Sequence, residues 1–200
     1  MKKYMIIILA ISLISYLNTD AFGLIKLGKV KKDKTATKSK LEEKQDLKGW
    51  GKSKWGMTEE ELLETFKGQA TVKEKKESKS DNTYSTIEIN NFEIAGNNFN
   101  VTFSMGINDN KLREVVLTET PAIEMHFSKF VQLLTEKYGR PQYADTITYE
   151  HGSPDFTKKA TWTFPSTKIE LIYSDIRIFG TCLLVRYSDQ SISKEALDKI

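Results

Sequence analysis

The chain has 200 residues, of which 39% are apolar and 28% charged, with a formal net charge of +3. These values exclude collagen and wholesale disorder, and the length favours one domain or at most two small ones. The single cysteine, Cys182, excludes an internal disulfide and a cysteine-based zinc site, and two histidines leave little for a histidine-rich metal site. We therefore predict no metal site and no cofactor.

The first 23 residues have the pattern of a signal peptide. Two lysines follow the initiator methionine, and residues 4–17 are almost entirely apolar. This stretch suits a signal core and is short for a membrane span, which needs about 20 apolar residues. Cleavage after Ala21 or Gly23 would leave small residues at the cut. We predict export to the periplasm or medium, and the alternative is an uncleaved anchor in the inner membrane.

Residues 24–54 predict a basic, disordered arm. Between Lys26 and Lys54 there are 11 lysines and 4 acidic residues, a net charge of +7, whereas residues 55–200 carry −5. It has few large apolar residues, and burying them would stabilise the arm by less than the conformational entropy lost on ordering it. The arm is either a solvated linker or a weak contact with anionic lipid or wall polymer. Nucleic acid is not predicted as a partner, because arginines and interleaved aromatic residues are missing.

A helix start is predicted at Thr58. Its hydroxyl is suited to an N-cap, and Glu61 can complete a capping box. Met57 and Leu62 can pack together across the cap, and Gly68 can end the helix. The three consecutive glutamates after Thr58 are explained by the positive end of the helix dipole, so no carboxylate site is predicted there.

The next segment predicts a loop and then three strands. Residues 71–83 are polar and charged, which indicates a mobile loop. Apolar alternation starts at Ile87 and changes phase at Asn90–Asn91, which indicates a bulge. Turns are predicted at 95–98 and at 108–110 from their Asn, Asp and Gly content.

A second helix is predicted from Thr120, with Pro121 at its first position and Gly139 at its end. Its apolar stripe comprises Ile123, Phe127, Phe130, Leu134 and Tyr138. His126 lies beside this stripe, where packing and one hydrogen bond are its expected role.

Alternating strands are predicted again over 160–164 and 169–173, with a buried strand over 181–187. Residues 191–200 predict a short terminal helix. The order of elements predicts an α+β fold, an antiparallel sheet with helices on one face, in a single domain over 55–190. It is compatible with two tandem α-β-β-β units at 55–118 and 120–187. Two helices cannot cover a wide sheet, so we expect a partly uncovered face that serves for interaction.

The string Trp55-Gly56-Met57-Thr58, followed by Glu61-Leu62-Leu63, resembles the opening of small bacterial envelope modules. These are the β-lactamase-inhibitor-protein-like fold and the small lipoprotein of the outer-membrane β-barrel assembly machinery. In both, a Gly-Met-Thr/Ser helix start leads into an antiparallel sheet. The chain departs from the lipoprotein in having no lipid-bearing cysteine. The resemblance implies a module that binds proteins and lacks a catalytic site.

We therefore predict an exported, non-catalytic protein-binding module of the bacterial envelope, whose partner is another envelope protein. Trp50 is the predicted exposed anchor for that partner, whereas Trp55 is expected to pack beside the helix start. One alternative is a surface-tethered envelope protein held by the basic arm or an uncleaved signal. The other is a small hydrolase that uses His151, although no phosphate loop, nucleophile elbow or metalloprotease motif is present.

Overall fold

A computed structural model describes residues 46–148 and 155–191. The helices are α1 (Glu59–Thr65) and α2 (Glu124–Tyr138). The strands are β1 (Ala70–Ser78), β2 (Thr83–Ile94), β3 (Asn97–Gly106), β4 (Leu112–Glu119), β5 (Tyr143–Thr148), β6 (Phe156–Thr163), β7 (Thr167–Ile176) and β8 (Gly180–Asp189). All eight strands form one antiparallel sheet in the order β1-β2-β3-β4-β8-β7-β6-β5.

The predicted α+β fold with tandem α-β-β-β units is wrong, because the described chain is mostly β, an open antiparallel sheet with two helices. The largest difference is β1, which occupies most of the predicted loop at 71–83. Its side chains are nearly all exposed, so no apolar pattern marks it. Backbone pairing with β2 holds this edge strand, since ladder hydrogen bonds do not depend on buried side chains.

Local signals in the first half are confirmed. The Thr58 hydroxyl accepts from the Glu61 amide, and the Glu61 carboxylate accepts from the Thr58 amide at 2.8 Å, which completes the capping box. Gly68 has a φ of 79°, in the left-handed region, but the helix ends earlier than predicted, with Phe66 as its C-cap. The register of β2 against β3 shifts between Ile89 and Phe92, around the predicted bulge.

The start of the second helix differs from the prediction. α2 begins at Glu124 rather than after Thr120, and its N-cap residue, Ile123, has no side chain that can cap. Thr120 and Pro121, the predicted first residues of the helix, instead form a bend joined by a cis peptide bond. Ala122 is buried, and its amide donates to the Thr181 hydroxyl at 3.2 Å. The end of α2 at Gly139 is confirmed, with a φ of 81°.

Both helices pack on the same face of the sheet. The Phe66 ring, at the end of α1, lies 5.1 Å from Phe103 on β3. Phe130 on α2 lies 5.1 Å from Phe99 on the same strand. Since Phe99 and Phe103 are four residues apart on β3, they point to one side. This covered face carries the hydrophobic core, and fully buried Trp162 ties it to the end of α2 by donating to the Gly139 carbonyl at 2.7 Å.

Several predicted segments lie outside the described residues. They are the signal peptide at 1–23, the arm up to residue 45, His151 and the terminal helix beyond Ser191. The last part of the arm is described and is packed rather than disordered, because Asp46 accepts hydrogen bonds from Ser166 and the Leu47 carbonyl accepts one from Thr167. Among the described residues, no helix is long and apolar enough to cross a membrane.

Candidate interaction surface

The sheet face opposite the two helices is the candidate functional surface, and we call it the open face. Strand alternation places every second side chain of each strand on it. One row of directly paired residues crosses the open face through all eight strands. From β1 to β5 in sheet order the row is Thr71, Glu88, Thr102, Val116, Arg186, Glu170, Thr161 and Tyr143.

The middle of the open face carries a small apolar patch. Leu184 on β8 pairs directly with Ile172 on β7, and Val116 on β4 pairs with Arg186, two residues along β8 from Leu184. All three apolar side chains are half-buried, although neither helix covers this side. Side chains on the adjacent strands cover part of each residue, and the part that points away from the sheet remains exposed to water. The patch is therefore accessible to a partner.

An ionic network borders this patch on one side. Glu170 on β7 is 5% exposed, and its carboxylate lies 2.6 Å from the Lys159 ammonium and 2.9 Å from the Lys168 ammonium. Burial raises the pKa of Glu170, but the hydrogen bonds and charges of the two lysines outweigh it and hold the pKa below its usual value. Glu170 is therefore ionised at neutral pH, and this part of the open face presents two anchored lysines.

A second ion pair lies next to this network, because Arg186 on β8 pairs directly with Glu170. Arg186 Nε lies 2.9 Å from the Glu114 carboxylate on β4. Here burial dominates and raises the pKa of Glu114, Arg186 lowers it, and the nearby charges of Asp81 and Glu170 raise it further. The two carboxylates of the open face therefore differ: Glu170 is well stabilised as an anion, whereas Glu114 is not.

Together these groups have the composition that is typical of a protein interface. Such interfaces have an apolar centre and a polar, charged rim. The patch of Val116, Ile172 and Leu184 provides the centre, and the Glu170 and Glu114 networks provide a rim of fixed charges. A partner that carries apolar side chains amid complementary charges fits this arrangement, since charge complementarity sets register and specificity.

Trp50, the predicted exposed anchor, is buried instead. It is 8% exposed and lies in the core, with its ring 6.0 Å from Phe66, 5.4 Å from Phe92 and 6.1 Å from Phe103. The prediction failed because the covered face of distant strands supplies a cavity for the indole, which neighbouring residues do not reveal. Trp55 packs against the core as expected, and its Nε1 donates to the Thr167 hydroxyl at 2.8 Å.

His126 takes the structural role that its position predicts. Its Nδ1 lies 3.0 Å from the Glu119 carboxylate and 2.7 Å from the Asn97 side-chain nitrogen. The Asn97 oxygen in turn accepts from Lys129 at 2.8 Å. This cluster joins the start of β3, the end of β4 and α2, and it lies on the covered side of the sheet.

The structure does not bring the other sequence candidates into one site. Glu59 accepts from the Thr86 hydroxyl at 2.6 Å, and Glu61 serves the capping box, which fits the helix-start interpretation. His151 lies outside the described residues, so the structure does not test the hydrolase alternative. No group of three or more His, Cys, Asp and Glu residues within 46–148 and 155–191 is placed to hold a metal ion.

The residues of the two ion networks were not predicted. Lys168 and Glu170 are two residues apart on one strand, a spacing that puts opposite charges on the same face. That signal is visible in the sequence, but only the pairing of β7 with β6 and β8 adds Lys159 and Arg186. The register of these strands, which decides which side chains meet, is not given by the composition of any one strand.

Comparison with known proteins identifies the family of the chain. Residues 48–199 match the TP0088 domain. No curated protein and no solved structure matches the chain significantly. The matched range begins close to the first described residues, Asp46 and Leu47, and includes both described helices and all eight described strands. The chain therefore belongs to the TP0088 domain family.

Proposed function

We propose that the chain is an exported, non-catalytic protein-binding module of the bacterial cell envelope, and that it holds its partner protein on the open face. The observation that carries the proposal is the row of paired residues through all eight strands, with a small apolar patch beside two adjoining ion networks. An apolar patch rimmed by polar residues is typical of interaction sites.

The chemistry of the open face favours binding over bond-making. The charged groups next to the apolar patch are engaged with one another: Glu170 is held by two lysines, and Arg186 lies against Glu114. Paired charges of this kind orient a partner and exclude wrong ones. The basic start and short apolar stretch within residues 1–23 support export, and an envelope protein is the partner that an exported module would meet.

The test is in-cell cross-linking of the tagged full-length protein in its native host, followed by identification of the cross-linked protein and measurement of the intact mass. We expect one stoichiometric protein partner and a mass that corresponds to cleavage after Ala21 or Gly23. Recovery with lipid or wall polymer that salt reverses, with no discrete protein, would contradict the proposal and support the surface-tethered alternative. A retained signal would contradict cleavage.

A matched pair of variants locates the partner. Leu184→Glu places a charge in the centre of the open face, where hot-spot contacts concentrate, and is expected to weaken partner capture at least about tenfold. Met125→Glu introduces the same charge on α2, where the native side chain is 69% exposed, and is expected to leave capture unchanged. Equal capture by both variants, with unchanged thermal unfolding, would show that the partner lies elsewhere.

A further inference from the structure

The covered face of the sheet contains a groove between α2 and the segment around Trp50. Its volume is about 410 Å³, which falls in the range of about 300–1,000 Å³ that small-molecule sites occupy. The floor is formed by Leu117 on β4 and by Val185 and Tyr187 on β8. One wall is the side of α2 that carries Leu133, and the other contains Trp50 and the end of β2. Almost the whole lining is apolar.

The groove lies above the central strands β4 and β8, between α2 and the segment that carries Trp50. α1 has only seven residues, and its end packs against β3 through Phe66. The α2 backbone lies closest to β7 and β6, and its Phe130 side chain reaches Phe99 on β3. Leu133, Phe92 and Ile94 around the groove remain only half-buried.

Polar groups lie at one end of the groove, where α2 ends. Among the described residues that line it, Lys137 alone carries a charge, and its ammonium lies 5.1 Å from the centre of the Tyr138 ring. Tyr138 and buried Tyr187 both line the groove, and burial together with the neighbouring Tyr138 raises the pKa of Tyr187 well above its usual value. An apolar groove with one cation at its mouth is complementary to an apolar chain that ends in one negative charge.

We propose that this groove binds a free long-chain carboxylate, with the aliphatic chain between α2 and Trp50 and the carboxylate beside Lys137. The site is separate from the open face and lies on the other side of the sheet. It does not depend on the protein-binding proposal, because the two proposals use different side chains. Lys137 also stabilises the end of α2, because a positive charge is favourable at the C-terminus of a helix. Its contribution to carboxylate binding must therefore be measured separately from binding of the aliphatic chain.

The probes are oleate and oleyl alcohol, which share a chain and differ in charge. Each is titrated below its aggregation threshold into the full chain purified from its native host, with native mass spectrometry for stoichiometry and intrinsic tryptophan fluorescence for affinity. We expect one molecule per chain. The carboxylate should bind about twofold to fivefold more tightly than the alcohol, the range that an exposed ion pair supplies.

Two variants and their controls locate the ligand. Leu133→Trp fills the groove and is expected to abolish binding of both probes, whereas Gln132→Trp adds the same side chain at an exposed position beside it and should change nothing. Lys137→Gln should remove the preference for oleate while retaining binding of the alcohol. Lys67→Gln, at a side chain that is 78% exposed in the pair with Glu64, is the control for charge.

Three results would overturn the proposal. If neither oleate nor oleyl alcohol binds, the groove is a packing gap or is occupied by a protein segment. Equal binding by folded Leu133→Trp would place the ligand elsewhere. Equal affinities for oleate and oleyl alcohol in the unaltered protein would refute the anionic head group. None of these results bears on partner capture by the open face, which Leu184→Glu tests independently.

Discussion

Replacing Glu170 by Gln tests whether the ionic network of the open face stabilises the fold. The substitution keeps the shape of the side chain and removes its charge, which leaves Lys159 and Lys168 without their shared partner. Glu170 is nearly buried, so water cannot replace the lost interactions fully. We expect the variant to fold and to be less stable than the unaltered protein at pH 7.

The size of the effect follows from the burial of the three side chains. Removing one partner of a fully buried ion pair costs about 3–5 kcal/mol, whereas exposed pairs are worth about 0–1 kcal/mol. Glu170 is 5% exposed, but the side chains of Lys159 and Lys168 are 32% and 35% exposed. We therefore expect a loss of about 2 kcal/mol, intermediate between these limits. For a domain of this size, that loss lowers Tm by about 4–8 °C.

The pH dependence distinguishes charge from packing. The two lysines hold the pKa of Glu170 below its usual 4.5, even though burial acts in the opposite direction. A carboxyl with a lower pKa in the folded state stabilises the fold above the unfolded pKa, and this contribution is lost as the pH falls through the folded pKa. The difference between Glu170→Gln and the unaltered protein should therefore be full at pH 7 and should shrink below about pH 4.5.

Glu114→Gln is the matched control in the same sheet face. Burial raises the pKa of Glu114 above its usual 4.5, so the folded state favours the protonated carboxyl. Its stabilising contribution is present at low pH and is lost as the pH rises through the folded pKa. The neutral amide should therefore leave stability at pH 7 unchanged or raise it. Thermal unfolding followed by circular dichroism at several pH values measures both variants.

One result would refute this reasoning. If Glu170→Gln lowers Tm equally from pH 7 to below the folded pKa of Glu170, the loss does not come from the charge of the carboxylate. Equal destabilisation by Glu114→Gln at pH 7 would likewise show that the two ion networks do not differ as their environments indicate.

Four further predictions concern the fold. Thr58→Ala removes the capping box and should cost about 1 kcal/mol in chemical unfolding. Trp162→Phe leaves a gap and deprives the Gly139 carbonyl of its donor, so a loss of about 2–3 kcal/mol is expected in the same assay. Phe179→Ser alters a side chain that is 79% exposed and should change Tm by less than the error of the scan. A chain that ends at Thr120 should show no cooperative thermal transition, because β4 loses its partner β8.

Each of these expectations has a contrary result. An unchanged midpoint for Thr58→Ala would mean that the short helix contributes nothing to stability, and a stable Trp162→Phe would mean that the core relaxes around the smaller ring. A marked loss for Phe179→Ser would show that the β7–β8 turn packs against part of the chain. A cooperative transition in the shortened chain would show that its four strands fold alone.

The sequence predicted features that neighbouring residues determine. The capping box of Thr58 and Glu61 is set within four residues, and the bulge at Asn90–Asn91 follows from a change of apolar phase within one strand. Features that carry no apolar pattern, or that depend on distant residues, were missed. β1 has no apolar pattern, because β2 holds it through its backbone. Trp50 is buried by Phe92 and Phe103, which come from strands much later in the chain.

The candidate surface could be predicted only in part for the same reason. Alternation in the strands predicts that one side of the sheet meets water, and an uncovered face follows from having two helices for a wide sheet. The neighbours across that face depend on which strands meet. Val116 and Arg186 are 70 positions apart in the chain and become direct partners only because β4 pairs with β8. No local pattern in either strand specifies that pairing.

The pairing of β4 with β8 serves both faces at once. On the covered side it places Leu117 beside Val185, both nearly fully buried, and so joins the apolar rows of the two halves of the sheet. On the open side it places Val116 beside Arg186 and completes the row through all eight strands. Because side chains alternate with a period of two, a substitution on the open side leaves the Leu117–Val185 contact in place. Leu184→Glu can therefore change binding while the core that holds the sheet together remains intact.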